Sequence, residues 1–250
     1  MPRPHGRPRH GRRDPVLTPL VLGAAGMNLL ALALVVARAP AFRTRLYRPM
    51  LLNLALSVAP LLVLLAALAV TSVVVGFVSA WLGAVLGVVL GLVWLLLLPN
   101  SGYLVTELNL SHRKEGEDVP VWYDVALVIS LAMSGVLNTV LGVFVAQLEY
   151  VLLRYGDSAA ALRSGDARAF VVVVLLLVAL GMYLGRYVRL NSWDVRHPTS
   201  LLRKVAGHVR TVGLVQPVVF VLVYGAFFAL MYLAVVGPVV AGLVALEQRA

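Results

Sequence analysis

Apolar residues run along this chain in blocks long enough to cross a lipid bilayer, and the polar residues fall between the blocks rather than alternating inside them. A hydrocarbon layer of roughly 30 Å takes a helix of about 20 residues. The period-two alternation of a membrane barrel is missing from every block. The pattern predicts six spans. The first is Pro15 to Val36, followed by a basic loop with Arg38, Arg43, Arg45 and Arg48. Met50 to Leu98 is too long for one helix at about 1.5 Å per residue. The small and β-branched patch from Thr71 to Ser79 is the expected tight turn, dividing it into spans at 50–72 and 78–98. Asn53 sits near the start of the second span, and Pro60 should kink it.

After a solvated loop from Ser111 to Val119, a fourth span runs from Trp122 to Val145 with Asn138 inside it, and continues as an amphipathic helix through Glu149 and Tyr155. A polar loop from Gly156 to Asp166 leads to a fifth span from Arg168 to Tyr187. Between Pro198 and Val212, Leu201, Leu202, Val205, Val209 and Val212 fall at helical spacing opposite Arg203, Lys204, His208 and Arg210. That is a basic amphipathic helix suited to lying on a membrane surface. The last run, Thr211 to Leu246, is longer than a straight span, so it extends beyond the bilayer or bends at Gly237-Pro238. The expected fold is an all-α polytopic membrane protein, about six transmembrane helices in a bundle plus a short interfacial helix. Residues 1–14 form a disordered basic tail and residues 15–250 one helical domain. No internal repeat is visible, which disfavours repeat-built transporter folds.

Composition agrees: 61% of the residues are hydrophobic and 13% charged, against about a quarter charged in a soluble domain. Without cysteine there is no disulfide framework, thiolate metal site or cysteine nucleophile. The net charge of +10 comes almost wholly from arginine, 19 of 21 basic residues. Flanking membrane spans, these arginines are expected to touch anionic head groups; membrane lipids are the expected partners, and nucleic acid is not. The ends of spans one, three and five share one side with 12 basic residues, against 9 opposite or 4 without the N-terminal tail. The positive-inside tendency then sets that side in the cytoplasm, in an inner (plasma) membrane.

Three stretches on that side carry polar chemistry. In Leu98-Pro99-Asn100-Ser101-Gly102-Tyr103-Leu104-Val105-Thr106-Glu107-Leu108-Asn109-Leu110, Pro99 ends span three and Asn100 or Ser101 can cap a new short helix. On that helix Tyr103, Thr106, Glu107 and Leu110 share a face. The others are Trp122-Tyr123-Asp124 and Asn191-Ser192-Trp193-Asp194. Glu107, Asp124 and Asp194 are the candidate catalytic carboxylates, expected at one depth. Asn100, Tyr103, Arg186, Arg189, Asn191 and Trp193 are the candidate substrate-binding residues. A divalent metal could be held by Glu107, Asp124, Asp194 and His197: Mg²⁺ or Mn²⁺ on the oxygens, or Zn²⁺ if His112 binds as well. Arg186 and Arg189 could clamp a phosphate through forked hydrogen bonds.

The plainer assignments compete. Asp124 can cap span four, Trp122, Tyr123, Tyr183, Tyr187 and Trp193 can form an aromatic belt, and both arginines can snorkel to head groups. His208 reads as an ordinary surface residue, Glu149 lies at the far end of span four, and Asn28 and Asn138 read as interhelical glue. No Gly-x-Ser-x-Gly elbow, phosphate-cradling glycine loop or His-Glu-x-x-His motif is present, so the hydrolase classes built on them have no support.

The three blocks, in this order and spacing, resemble the signature of a bacterial multi-pass family known as domain of unknown function 1361, over roughly residues 45–235. Glu107 stands where aspartate is common in that family. The resemblance implies an integral membrane protein and no particular reaction. Three functions stay open: metal-dependent chemistry on a lipid or lipid-linked phosphate, a transporter or binding protein for a small polar solute or ion, and a structural or assembly subunit. A pocket open sideways to lipid favours the first and a passage through the bundle the second. Carboxylates sealed against arginines favour the third.

Overall fold

The computed structural model describes residues 14–107, 118–188 and 198–249. The basic tail, the loop after Glu107 and the stretch holding Asn191 to His197 lie outside these residues. The chain is all-α, a polytopic membrane protein fold, and among the described residues six helices are long and apolar enough to cross a membrane. Helix α1 spans Asp14–Phe42, α2 Arg48–Phe77, α3 Ala80–Leu97, α4 Pro99–Gly102, α5 Val121–Tyr155 and α6 Gly165–Tyr183. The interfacial helix α7 spans Pro198–Val212 and α8 spans Val215–Glu247. A 3₁₀ turn, Tyr103–Glu107, follows α4, and a π-helical turn, Leu184–Val188, prolongs α6.

The boundaries follow local chemistry. Ser79 and Ser164 accept from the amides of Leu82 and Ala167 and so start α3 and α6. Pro49 falls in the first turn of α2, where its missing N–H costs nothing. Gly156, at φ 74°, and Gly213, at φ 80°, take left-handed conformations that end α5 and α7.

Two predicted boundaries move. Helix α2 runs through the Thr71–Ser79 patch, and the turn is confined to Val78 and Ser79. The β-branched residues stay helical because α3 meets them with glycines: a Cβ on Gly83 would strike Val75, and one on Gly87 would sit 3.4 Å from Thr71. Helix α1 also continues past Val36 to Phe42, carrying Arg38 in its last turns instead of in a loop. The final helix is one 33-residue element through Pro238, about 50 Å at 1.5 Å per residue and so longer than the hydrocarbon layer.

Helix α5 is the axis of the bundle. Of the apolar core of its span 78% is buried, against 17% for α2 and for α3. It packs against α1, α2, α4, α6 and α8. Its polar residues point to neighbours: the Asn138 and Asn28 amides bond each other at 2.8 and 3.0 Å, and Asn138 also donates to Ser57 Oγ at 3.0 Å. Ser57 and Ser101 then exchange hydroxyl-to-carbonyl bonds, with Ser101 donating at 2.6 Å. One chain of hydrogen bonds thus joins α1, α5, α2 and α4. The two asparagines are the interhelical glue their positions suggested. At the opposite end Gln147 donates to the Leu162 carbonyl and accepts from the Tyr232 hydroxyl, fastening α8 to the same axis.

Interhelical hydrogen bonds in membranes are worth about 0.6 kcal/mol each, up to about 1.7. Asn138→Leu removes three, so purified protein should lose about 1–2 kcal/mol of stability in detergent unfolding. The Asn28→Leu/Asn138→Leu double variant should be more stable than Asn138→Leu alone, since it leaves no stranded amide.

Candidate functional site

The first polar block is built as a wedge. Beyond Leu97 the path restarts as α4 and then tightens into the 3₁₀ turn. Asn100 and Ser101 do not cap it: the N-cap is Leu98, and the Ser101 hydroxyl is spent on α2. Pro99, Ser101 and Gly102 are buried. Two neighbouring helices give way to the wedge. A Cβ on Gly135 of α5 would lie 2.6 Å from the Ser101 carbonyl oxygen, and one on Gly181 of α6 would strike the Pro99 ring. One turn further on, a Cβ on Gly185 would overlap the Tyr103 hydroxyl. In the notch between these two glycines Tyr103 donates to the Gly181 carbonyl at 3.1 Å.

That bond lies where α6 changes pitch. The Gly181 carbonyl also accepts from the Leu184 amide, and Leu184–Val188 are wound as a π-helical turn. Such wide turns recur at functional sites because they loosen the helix and re-aim its side chains. Arg186 leaves this turn exposed and donates to Thr106 Oγ1 at 2.9 Å; Thr106 itself donates to the Tyr103 carbonyl at 2.8 Å. The end of α6 and the 3₁₀ turn are thereby joined twice, by Tyr103 and by Arg186.

The second block sits elsewhere on the same axis. Asp124 is fully buried in the first turn of α5 and accepts from Arg38 Nε at 2.9 Å. Arg38, itself buried, reaches Thr44 Oγ1 at 3.3 Å, and Tyr123 donates to the Leu34 carbonyl at 2.8 Å. The N-cap of α5 is Pro120, and the acid ties α5 to the last turns of α1. Tyr123 is held the same way and packs edge-on against Phe42, while Trp122 beside it is exposed.

Of the candidate residues, the structure brings together Tyr103 and Arg186, with Asn100 half-buried on the wedge between α3 and Tyr103. Glu107 closes the 3₁₀ turn one residue beyond Thr106. Its side chain, together with Arg189, Asn191, Trp193, Asp194 and His197, lies outside the described residues. Among the described residues no group of three His, Asp or Glu is placed to hold a metal ion.

Sequence reasoning missed Arg38, Ser57, Thr106 as the partner of Arg186, and the Gly181/Gly185 notch. Arg38 had a signal: Ala39, Pro40, Ala41 and Phe42 keep the apolar run going beyond it. The glycine pair at i, i+4 had one too, but nothing in it named Tyr103 as its occupant. His208, taken as a plain surface residue, bonds the Tyr183 hydroxyl through Nε2 at 2.8 Å.

The model of the family described as a protein of unknown function, DUF1361, matches residues 52–231, most of the chain and all three blocks. The chain belongs to that family. No curated protein and no solved structure matches it.

Three outcomes are expected. Arg38→Leu and Asp124→Leu should each cost about 3–5 kcal/mol, since each strands a buried charge, and the double variant should regain most of it; a double-mutant cycle on unfolding measures this. Gly185→Ala should cost about 1–3 kcal/mol by expelling Tyr103. Gly23→Ala, where the space around a Cβ is open, should be neutral or stabilising by up to about 1 kcal/mol.

Proposed function

We propose that this membrane protein recognises the phosphate-bearing head of a lipid or lipid-linked molecule, at the boundary where α4, the 3₁₀ turn and the π-helical turn of α6 meet. The observation that carries this reading is the Arg186–Thr106 bond. It holds an exposed guanidinium in one orientation at the end of the 3₁₀ turn while occupying one of its five N–H donors among the described residues. A planar, preoriented fork of donors suits a phosphate better than a freely swinging side chain does. Arg189 would extend the clamp, Asn100, Asn191 and Trp193 would contact the bound molecule, and Glu107 and Asp194 would supply carboxylates for a metal ion, with His197, or for proton transfer. The arginine excess on this side supports a cytoplasmic position for the head-group site.

Asp124 takes a different part. Sealed against Arg38, it fits the structural reading of the second block, in which an ion pair sets the start of α5 against the end of α1. The reading is therefore mixed: a framework role for Asp124, a binding role for the other two blocks.

Native mass spectrometry of the detergent-purified chain with phosphatidic acid and with diacylglycerol tests it. The chain should retain the charged lipid preferentially. Arg186→Ala should lower that retention about tenfold, since a hydrogen bond to a charged group is worth about 1.5–3 kcal/mol. Equal retention of both lipids by the unaltered chain, or no change in Arg186→Ala, would overturn the reading.

A further inference from the structure

At the same boundary, α6, α7 and α8 enclose a cavity of about 390 Å³, within the range of pockets that bury small ligands. Its wall is apolar except for His208 and Tyr183, whose Nε2 and hydroxyl are taken up by each other. The cavity has a floor. At its deep end α6 and α8 close on each other, since a Cβ on Gly225 would lie 2.7 Å from a methyl of Leu176. From there α8 and α6 part, and Val205, His208 and Val209 of α7 fill the third side. Leu176 to Val188 along α6 measures about 18 Å, and Leu214 to Leu222 along α8 about 12 Å, at 1.5 Å per residue. The space is thus a slot running parallel to the spans.

The slot opens sideways. Leu214, Val218 and Leu222 at its edge are 64%, 50% and 58% exposed. Level with its upper end, Arg186 leaves the π-helical turn toward Thr106, and Arg203 and Arg210 are exposed on the face of α7 turned away from the slot. An apolar space of this size left empty forfeits dispersion contacts over its whole wall, and the surrounding solvent able to fill it is hydrocarbon.

We propose that this slot seats one acyl chain of a membrane lipid, with the head group above it at the level of Arg186 and α7. The elongated shape along the spans, the nearly dry wall and the lateral opening together match an acyl chain. The proposal extends the head-group reading above, and for the charge of the head it rests on that reading.

The test uses the full chain in phosphatidylcholine nanodiscs doped with phosphatidic acid carrying a diazirine near its acyl terminus, with adducts mapped by mass spectrometry. Adducts should gather on the slot wall, at residues such as Leu180, Val205 and Val221, more densely than on the exposed faces of α2 and α3. Val221→Trp, which fills the slot, should reduce them about tenfold. Val205→Trp does the same from α7, should the change in α8 disturb folding. Adducts spread over the lipid-facing helices in proportion to exposure, or an undiminished slot signal in a folded Trp variant, would overturn the acyl-chain seat. A matching diacylglycerol probe separates the two ideas: equal slot labelling by both probes removes the anionic-head reading and leaves the seat standing.

Discussion

Inside a bilayer a polypeptide has no water to fall back on, so every break in a helix must be repaired by protein. The break at Pro99 is where this constraint acts hardest on the present chain. Four residues of α-helix set off by Pro99 and a 3₁₀ turn replace the last turns of a straight span. The repair uses Ser57 for Ser101 and the Gly181 carbonyl for Tyr103, with glycines on α5 and α6 admitting the wedge at backbone distance. Much of the bundle's specificity follows. The Ser57 hydroxyl that donates to the Ser101 carbonyl accepts from Asn138, and Asn138 is itself paired with Asn28. The wedge and the polar chain through α1, α2 and α5 are one arrangement.

The second anchor is electrostatic. Removing an arginine and an aspartate from water together is costly, and their attraction offsets that cost only where the geometry is good. Arg38 and Asp124 meet at 2.9 Å between the last turns of α1 and the first turn of α5. Asn28 with Asn138 pairs the same two helices nearer their middles. Two polar contacts along one interface fix both the register and the rotation of α1 on the axial helix, a specification that leucine and valine packing against equally apolar lipid would not give.

The spans, the interfacial helix and the asparagine pairing were legible in the sequence because each depends on local hydropathy or on a polar residue isolated in an apolar run. What failed to show was decided by a distant partner. Arg38 sits 86 residues from Asp124, and a hydropathy reading that stops a span at the first arginine must put it in a loop. The Thr71–Ser79 patch looked like a turn because small and β-branched residues are poor helix formers in isolation; Gly83 and Gly87 opposite them make that shape a fit instead. At the candidate site the residue types were visible, since hydroxyl, amide and carboxylate groups at a span end need partners. Their roles were not. Asp124 and Glu107 look alike in sequence, yet only the fold shows Asp124 enclosed by an arginine from α1.

The junction of α6 with the wedge links framework to surface. The Gly181 carbonyl accepts both the Leu184 amide and the Tyr103 hydroxyl, so the residue that locks the wedge also stands at the entry to the π-helical turn. Arg186 is carried by that turn and returns to Thr106, whose hydroxyl bonds the Tyr103 carbonyl. The result is a closed circuit: Tyr103 to Gly181, along the turn to Arg186, across to Thr106 and back to Tyr103. The bond to Thr106 holds the guanidinium in one orientation, and an anion that drew it away would cost that bond while leaving Tyr103 on Gly181. Preorientation of this kind removes part of the ordering cost of binding.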